Sequence, residues 1–286
     1  MKLEYYTLLC PTPIKLSIGR IKKHTLREIG EFSFPRFRVY EAYLLLTPNN
    51  YYNNLADETD KAYWESIPDE QKIHTTLYDL ILLYDDLREC FLEIFNFFFI
   101  ERVVFRDNVY YTINTDDYDT PDDEIEFTED NIAGAINYSN IYDVLDILRQ
   151  VCCIKSDDPL DEQKPVFKNA KAKKLYEKML KAKEEETKKK EKQATIDVSV
   201  PNVISSTAAK SAGLNIINIW DATLFQLYDQ FSKTQNDDIH YLNSVRVAVW
   251  GDEKNTYDHT LWYKNNYDKQ SVRLAHSESF VIKEEI

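Results

Sequence analysis

The side chains able to do chemistry in this sequence are present but are not spaced for it. Five histidines, His24, His74, His240, His259 and His276, stand far apart, with no H-E-x-x-H or other ligand spacing. Zinc chemistry needs imidazoles or thiolates at short fixed intervals, and Cys10, Cys90, Cys152 and Cys153 form no C-x-x-C pair. They read as buried thiols of a reducing compartment. The acidic tract Asp116 to Asp130 (DDYDTPDDEIEFTED) could offer oxygen ligands to a hard cation, but Pro121 and Asp122 occupy the region where a calcium loop needs glycine. It reads as a solvated acidic loop; the alternative is that, with the acidic domain around it, it steers a basic partner at long range. Neither a glycine-rich phosphate loop nor a G-x-S-x-G nucleophile turn occurs. The expectation is a non-enzyme with no catalytic residues, no metal site and no cofactor.

Two other residue groups bear on binding. The run from Phe167 to Gln193 (FKNAKAKKLYEKMLKAKEEETKKKEKQ) clusters lysines as phosphate contacts require, yet Glu177, Glu184, Glu185, Glu186 and Glu191 interleave with them at helical pairing distances. Internal ion pairs on a solvated connecting helix are expected, and nucleic-acid binding is disfavoured because no aromatic ladder accompanies the lysines. The second group is aromatic. Trp220, Phe225, Tyr228, Trp250, Trp262 and Tyr263 crowd the last 70 or so residues, a length too small to hide every large ring. Trp and Tyr are favoured interface anchors. These six, with Phe91, Phe95 and Phe98 of an apolar helix, are the candidate partner-binding residues.

Charge divides the chain. Residues 1–150 carry 14 Lys+Arg against 28 Asp+Glu, and residues 151–286 carry 21 against 21, so the net charge of −14 lies in the first half. With a basic run between, the chain reads as a two-ended binding protein: an acidic, mainly helical N-terminal domain over 1–155, a Lys-rich helix and flexible linker over 156–215, and a small aromatic-rich C-terminal module over 216–286. The fold class expected is mainly α with minor β (α+β). Only 5 glycines argue against turn-rich folds, while 20 tyrosines in a chain that is 13% aromatic supply a core. No signal pattern opens the chain, and the most apolar stretch, Leu77 to Phe105, holds too many charges to span a membrane.

The elements that must position these residues follow from periodicity. Ile18 to Leu26 reads as a strand or loop entering a helix. Pro35 makes the first aromatics extended, Val39 to Leu46 is helical, and Thr47-Pro48-Asn49-Asn50 stops it. Tyr51 to Pro68 reads as a surface helix. Thr75 to Glu101 is the strongest element, one helix with Leu77, Leu80, Ile81, Tyr84, Leu87, Phe91, Ile94, Phe95 and Phe98 on one face. Val103 to Asn114 is a β-hairpin turning at Asp107-Asn108. A second amphipathic helix runs near Asn140 to Cys152. Ala194 to Asn215 reads as a flexible linker. Leu224, Leu227, Tyr228 and Phe231 line a helix capped by Asn218 or Asp221, Val245, Val247 and Val249 alternate as a strand would, and Trp250-Gly251-Asp252-Glu253 turns the chain.

The N-terminal block (IGRIKKHTLREI, FPRFRVYEAYLLLTP, LYDLIL, FLEIFNFFF) and the C-terminal block (NIWDATLFQLYDQF, VWGDEK, YDHTLWYK) resemble proteins encoded in the tail-morphogenesis regions of phages and prophages of Gram-positive bacteria. The resemblance covers both ends and skips the linker. It implies a phage tail assembly chaperone, acting in the host cytoplasm, that coats the tape-measure protein and recruits tail-tube subunits. Self-association and an absence of membrane contact are further expectations. Grooves beside Thr75–Glu101 and Asn140–Cys152 would shield the tape measure, and the C-terminal module would reach the tube protein. The competing reading is a structural virion component of the neck, terminator or baseplate, and a more distant one is a nucleic-acid-binding regulator.

Overall fold

The computed structural model describes residues 2–154 and 199–267, except positions 73, 116–119, 123, 126, 129, 253–256, 265 and 266. The fold is α+β: helices dominate, with one two-stranded and one three-stranded antiparallel sheet. The Lys-rich run Phe167 to Gln193 lies outside the described residues.

The chain opens with α1 (Tyr5–Leu9) and a tight hairpin of β1 (Ile14–Leu16) and β2 (Gly19–Ile21). Thr25 then caps α2 (Leu26–Phe32) through a capping box with Glu28. Pro35 was expected to hold its neighbours extended. It instead occupies the first turn of α3 (Phe34–Leu44), where its missing N–H costs nothing because that donor has no helical acceptor. The expected surface helix over 51–68 is two, α4 (Pro48–Asn54) and α5 (Glu58–Ser66), with Asp57 capping the second. A short α6 (Asp69–Lys72) follows.

The long helix expected over 75–101 is also divided, into α7 (Leu77–Leu83) and α8 (Asp85–Phe98). Tyr84 between them is extended, at φ −111° and ψ 113°. No Gly or Pro marks this break. It is tertiary: the Tyr84 hydroxyl donates to Asp60 at 2.7 Å and its ring lies 4.9 Å from Tyr51. Asp85 and Asp86 then fall in the first turn of α8, where carboxylates favour a new N-terminus.

The β-hairpin is as expected, β3 (Arg102–Arg106) and β4 (Val109–Ile113), with Asp107 and Asn108 both at positive φ as a two-residue turn demands. β5 (Ile132–Ile136) adds to β4, placing Gly134 opposite Thr112. α9 (Ile141–Val151) buries Ile141, Val144, Leu145, Ile147 and Leu148, the face its periodicity defines.

Beyond the undescribed stretch, Val200 to Lys210 form helix α10, where a flexible linker was expected. Ser and Ala disguise its amphipathicity, but Val200, Val203, Ile204 and Thr207 share one buried face. A 3-10 turn over Ile219–Asp221 leads into α11 (Leu224–Trp250), of 27 residues. Its cap is Thr223, not Asn218 or Asp221: the Thr223 side chain accepts from the Gln226 N–H, and the Gln226 side chain accepts from the Thr223 N–H at 2.9 Å. The strand expected at Val245, Val247 and Val249 is the end of α11. Val245 and Val249 are four apart and share a helix face, so the two-residue period was incidental. The described part of the C-terminal segment thus holds no strand. Gly251, at φ 78°, ends the helix.

Both halves contribute to one core. Leu224, Phe225, Leu227 and Tyr228 of α11 join Phe91, Phe95 and Phe98 of α8 in a single buried cluster. Thr25 and Thr223 pair backbone to backbone, and the Gln226 amide donates to the Leu9 carbonyl at 2.8 Å. Tyr267 ties α9 to the chain start, its hydroxyl donating to Gln150 at 2.7 Å and its ring lying 6.3 Å from Tyr5. A further tie is Lys23, whose buried ammonium donates to the carbonyls of Thr7 and Cys10 at the end of α1. Burial holds its pKa below the usual lysine value. Lys23→Met keeps the apolar stem and removes the donor, so urea denaturation should show a loss of about 1–3 kcal/mol.

Candidate functional site

The nine candidate partner-binding residues separate into two groups. Phe91, Phe95 and Phe98 are at most 1% exposed. Phe95 meets Tyr110 edge-on at 5.0 Å between centroids, with Phe91 5.9 Å away. Phe225 and Tyr228 are equally enclosed, Phe225 lying between Tyr5 and Tyr267 at 5.9 and 5.6 Å. These five rings are core, because α8 and the start of α11 face each other's surroundings rather than water. The groove expected beside α8 and α9 is filled by the protein's own side chains. An opening lined by His24, Phe98, Cys152 and Phe225 among others has room for about one water molecule.

The other four are accessible. Trp220 is half-buried against the core, while Trp250, Trp262 and Tyr263 are 76%, 50% and 56% exposed. Trp262 and Tyr263 stand edge to face at 5.1 Å in a 3-10 turn, Leu261–Tyr263. That turn is held by Lys233 of α11, whose ammonium donates to the carbonyls of Tyr263 and Lys264. Asp258 clasps Lys264 and accepts from Thr260, and this keeps its carboxyl well below the usual range.

Further exposed apolar residues escaped the sequence reading. Ile216 and Ile217 project from the loop before α11, Ile217 being 80% exposed. Tyr241, Leu242, Val245 and Val249 line the outer face of the last three turns of α11. Of the seventeen large apolar side chains exposed among the described residues, nine lie in 216–263. The signal was available: continued as a helix, 241, 242, 245 and 249 recur at spacings of three and four. Reading the valines as a strand concealed it.

The charges around these surfaces are mostly paired. The Lys210 ammonium at the end of α10 bonds Asp238, and Arg27 bonds Asp221 at 2.9 Å. Asp229 is half-buried, and its desolvation raises its carboxyl pKa while the Tyr5 hydroxyl donates to it at 2.7 Å. In the acidic tract, the described part is tied to the sheet: Arg102 pairs with Asp122, and the Arg106 guanidinium lies 4.1 Å over the Phe127 ring. Among the described residues no His, Cys, Asp and Glu cluster could hold a metal ion, and no helix is long and apolar enough to cross a membrane.

Comparison with curated proteins and with solved structures finds no match. One family model does match, described as the YomV second domain, over residues 188–267. That span includes α10, α11 and the Trp262–Tyr263 turn. The portion of the chain that carries the exposed apolar surface is therefore similar to a domain of YomV, a protein of a Bacillus phage region.

Proposed function

We propose that this protein is a phage tail assembly chaperone that binds the tape-measure protein and recruits tail-tube subunits in the host cytoplasm, without catalysis. The observation that carries the reading is the concentration of exposed large apolar side chains in 216–263, on a framework anchored in the core. Solvated apolar residues in such number mark a surface used by other proteins. The similarity of the same segment to a phage-region domain supports the setting. The net charge of −14, concentrated in the first half, keeps a complex with an aggregation-prone helical client soluble.

The shared core changes how the two ends can work. An N-terminal domain that sheltered a helix in a groove beside α8 would have to expel its own phenylalanines. Client contact therefore falls to the exposed residues Ile216, Ile217, Trp262 and Tyr263. Removing residues 216–286 would strip the core of Leu224, Phe225, Leu227 and Tyr228, so truncation confounds binding with unfolding. Point variants separate them. A triple variant, Ile217→Asp, Trp262→Ala and Tyr263→Ala, should keep its stability to within about 1 kcal/mol. Its recovery of tape-measure and tube proteins from producing cells should fall by at least about tenfold. Unchanged recovery by the folded variant would refute the assignment of this surface.

A further inference from the structure

The last three turns of α11 form a surface separate from the Trp262–Tyr263 turn and from Ile216 and Ile217. Leu242, Val245 and Val249 follow one another at spacings of three and four, the seam of a short helix pair. Tyr241 and Ala248 border the seam on one side and Arg246 on the other, and all six are exposed. The opposite side of the helix is covered in part: the Tyr257 hydroxyl and the His240 ring are 3.0 Å apart, and Val247 is half-buried.

Charge indicates what occupies this face. The chain carries 49 Asp+Glu, yet none falls between Asp238 and Asp252. Across this face two copies bring together apolar side chains and one arginine each. A basic partner, drawn to this acidic protein, finds no carboxylate over residues 239–251 to meet. We propose that the distal part of α11 pairs antiparallel with the same helix of a second copy. A two-fold axis between residues 243 and 244 sets Leu242 against Val245 of the other copy, in both directions at once. Val249 then lies beside the turn holding Asp238 of the other helix. Arg246, one turn back, then comes near the Asp238 carboxylate that Lys210 of that copy already bonds.

The size of the face sets the strength. At their fractional exposures, Tyr241, Leu242, Val245 and Val249 offer on the order of 400 Å² per copy, about half the ~800 Å² of a standard interface. The dimer is therefore weak and concentration-dependent, with Kd between about 1 and 100 μM.

Sedimentation equilibrium of the purified full chain tests this without any client, so its outcome is independent of the tail-assembly reading. The wild type should pass from monomer to dimer across that range. Leu242→Asp with Val249→Asp, both on exposed positions, should remain monomeric with an unchanged circular dichroism spectrum. Arg246→Asp should weaken association about tenfold or more. A wild type monomeric at about 100 μM would overturn the proposal. So would a dimer that both sets of variants leave intact, since another surface would then be responsible.

Discussion

Phe95→Ala should destabilise the whole fold by about 3–5 kcal/mol, not trim a binding surface. Phe95 is fully buried, with Phe91, Phe99 and Tyr110 within 6.4 Å between ring centroids. Truncation removes both the transfer energy of the ring and the contacts of the cavity walls, which α7, α8 and the sheet cannot collapse to recover. Against a total stability of about 5–15 kcal/mol, that loss should lower the melting temperature by on the order of 10 °C. Leu83→Ala, at a position 65% exposed, is the control and should change stability by less than about 1 kcal/mol. A Phe95→Ala protein as stable as wild type but deficient in partner binding would restore α8 as a docking helix.

The second large effect concerns a close approach of two backbones. Gly134 in β5 lies over the β1–β2 turn, and a Cβ there would sit 2.4 Å from the Ile18 Cα. Backbone, unlike a side-chain tip, cannot rotate away. The contact also sets a hydrogen bond, because Thr112, opposite Gly134, donates its hydroxyl to the Ile18 carbonyl at 2.6 Å. Gly134→Ala should force the three-stranded sheet off the hairpin and cost about 3 kcal/mol, with faster amide exchange in β4 and β5. Gly213→Ala has nothing within 4 Å and should be neutral. If Gly134→Ala matches it in urea denaturation, the sheet does not rest on the hairpin as described.

How much of this was legible in the sequence depended on whether the deciding interaction was local. α9 and the β3–β4 hairpin could be read because a continuous apolar stripe and an Asp-Asn turn carry their own instructions. The division at Tyr84 could not, since it depends on Asp60 and Tyr51 arriving from other helices. α10 was hidden by a Ser- and Ala-rich composition that resembles a linker, although its valines and Ile204 already lay on one face. At the end of α11 a true three-and-four pattern coexisted with an incidental two-residue alternation. The Thr223–Gln226 capping box, which starts a helix long enough to include both, was the cue that decides between them.

Exposure in the last segment was legible in kind but not in place. Composition indicated that some aromatics of the last segment meet water, and Trp250, Trp262 and Tyr263 do. Periodicity gave the apolar face of α8 correctly, but an apolar face serves a core and a client equally well. The partition follows from packing: the start of α11 covers part of the N-terminal core, and its end extends past that core with Leu242 and Val249 in solvent.

The most direct test of the assembly role is quantitative mass spectrometry of a tagged full chain, comparing a pull-down from phage-producing cells with purified mature particles. The account predicts tape-measure and tail-tube proteins enriched in the pull-down and this protein missing from the particles. Stoichiometric retention in mature particles, or a pull-down without tail proteins, would contradict it.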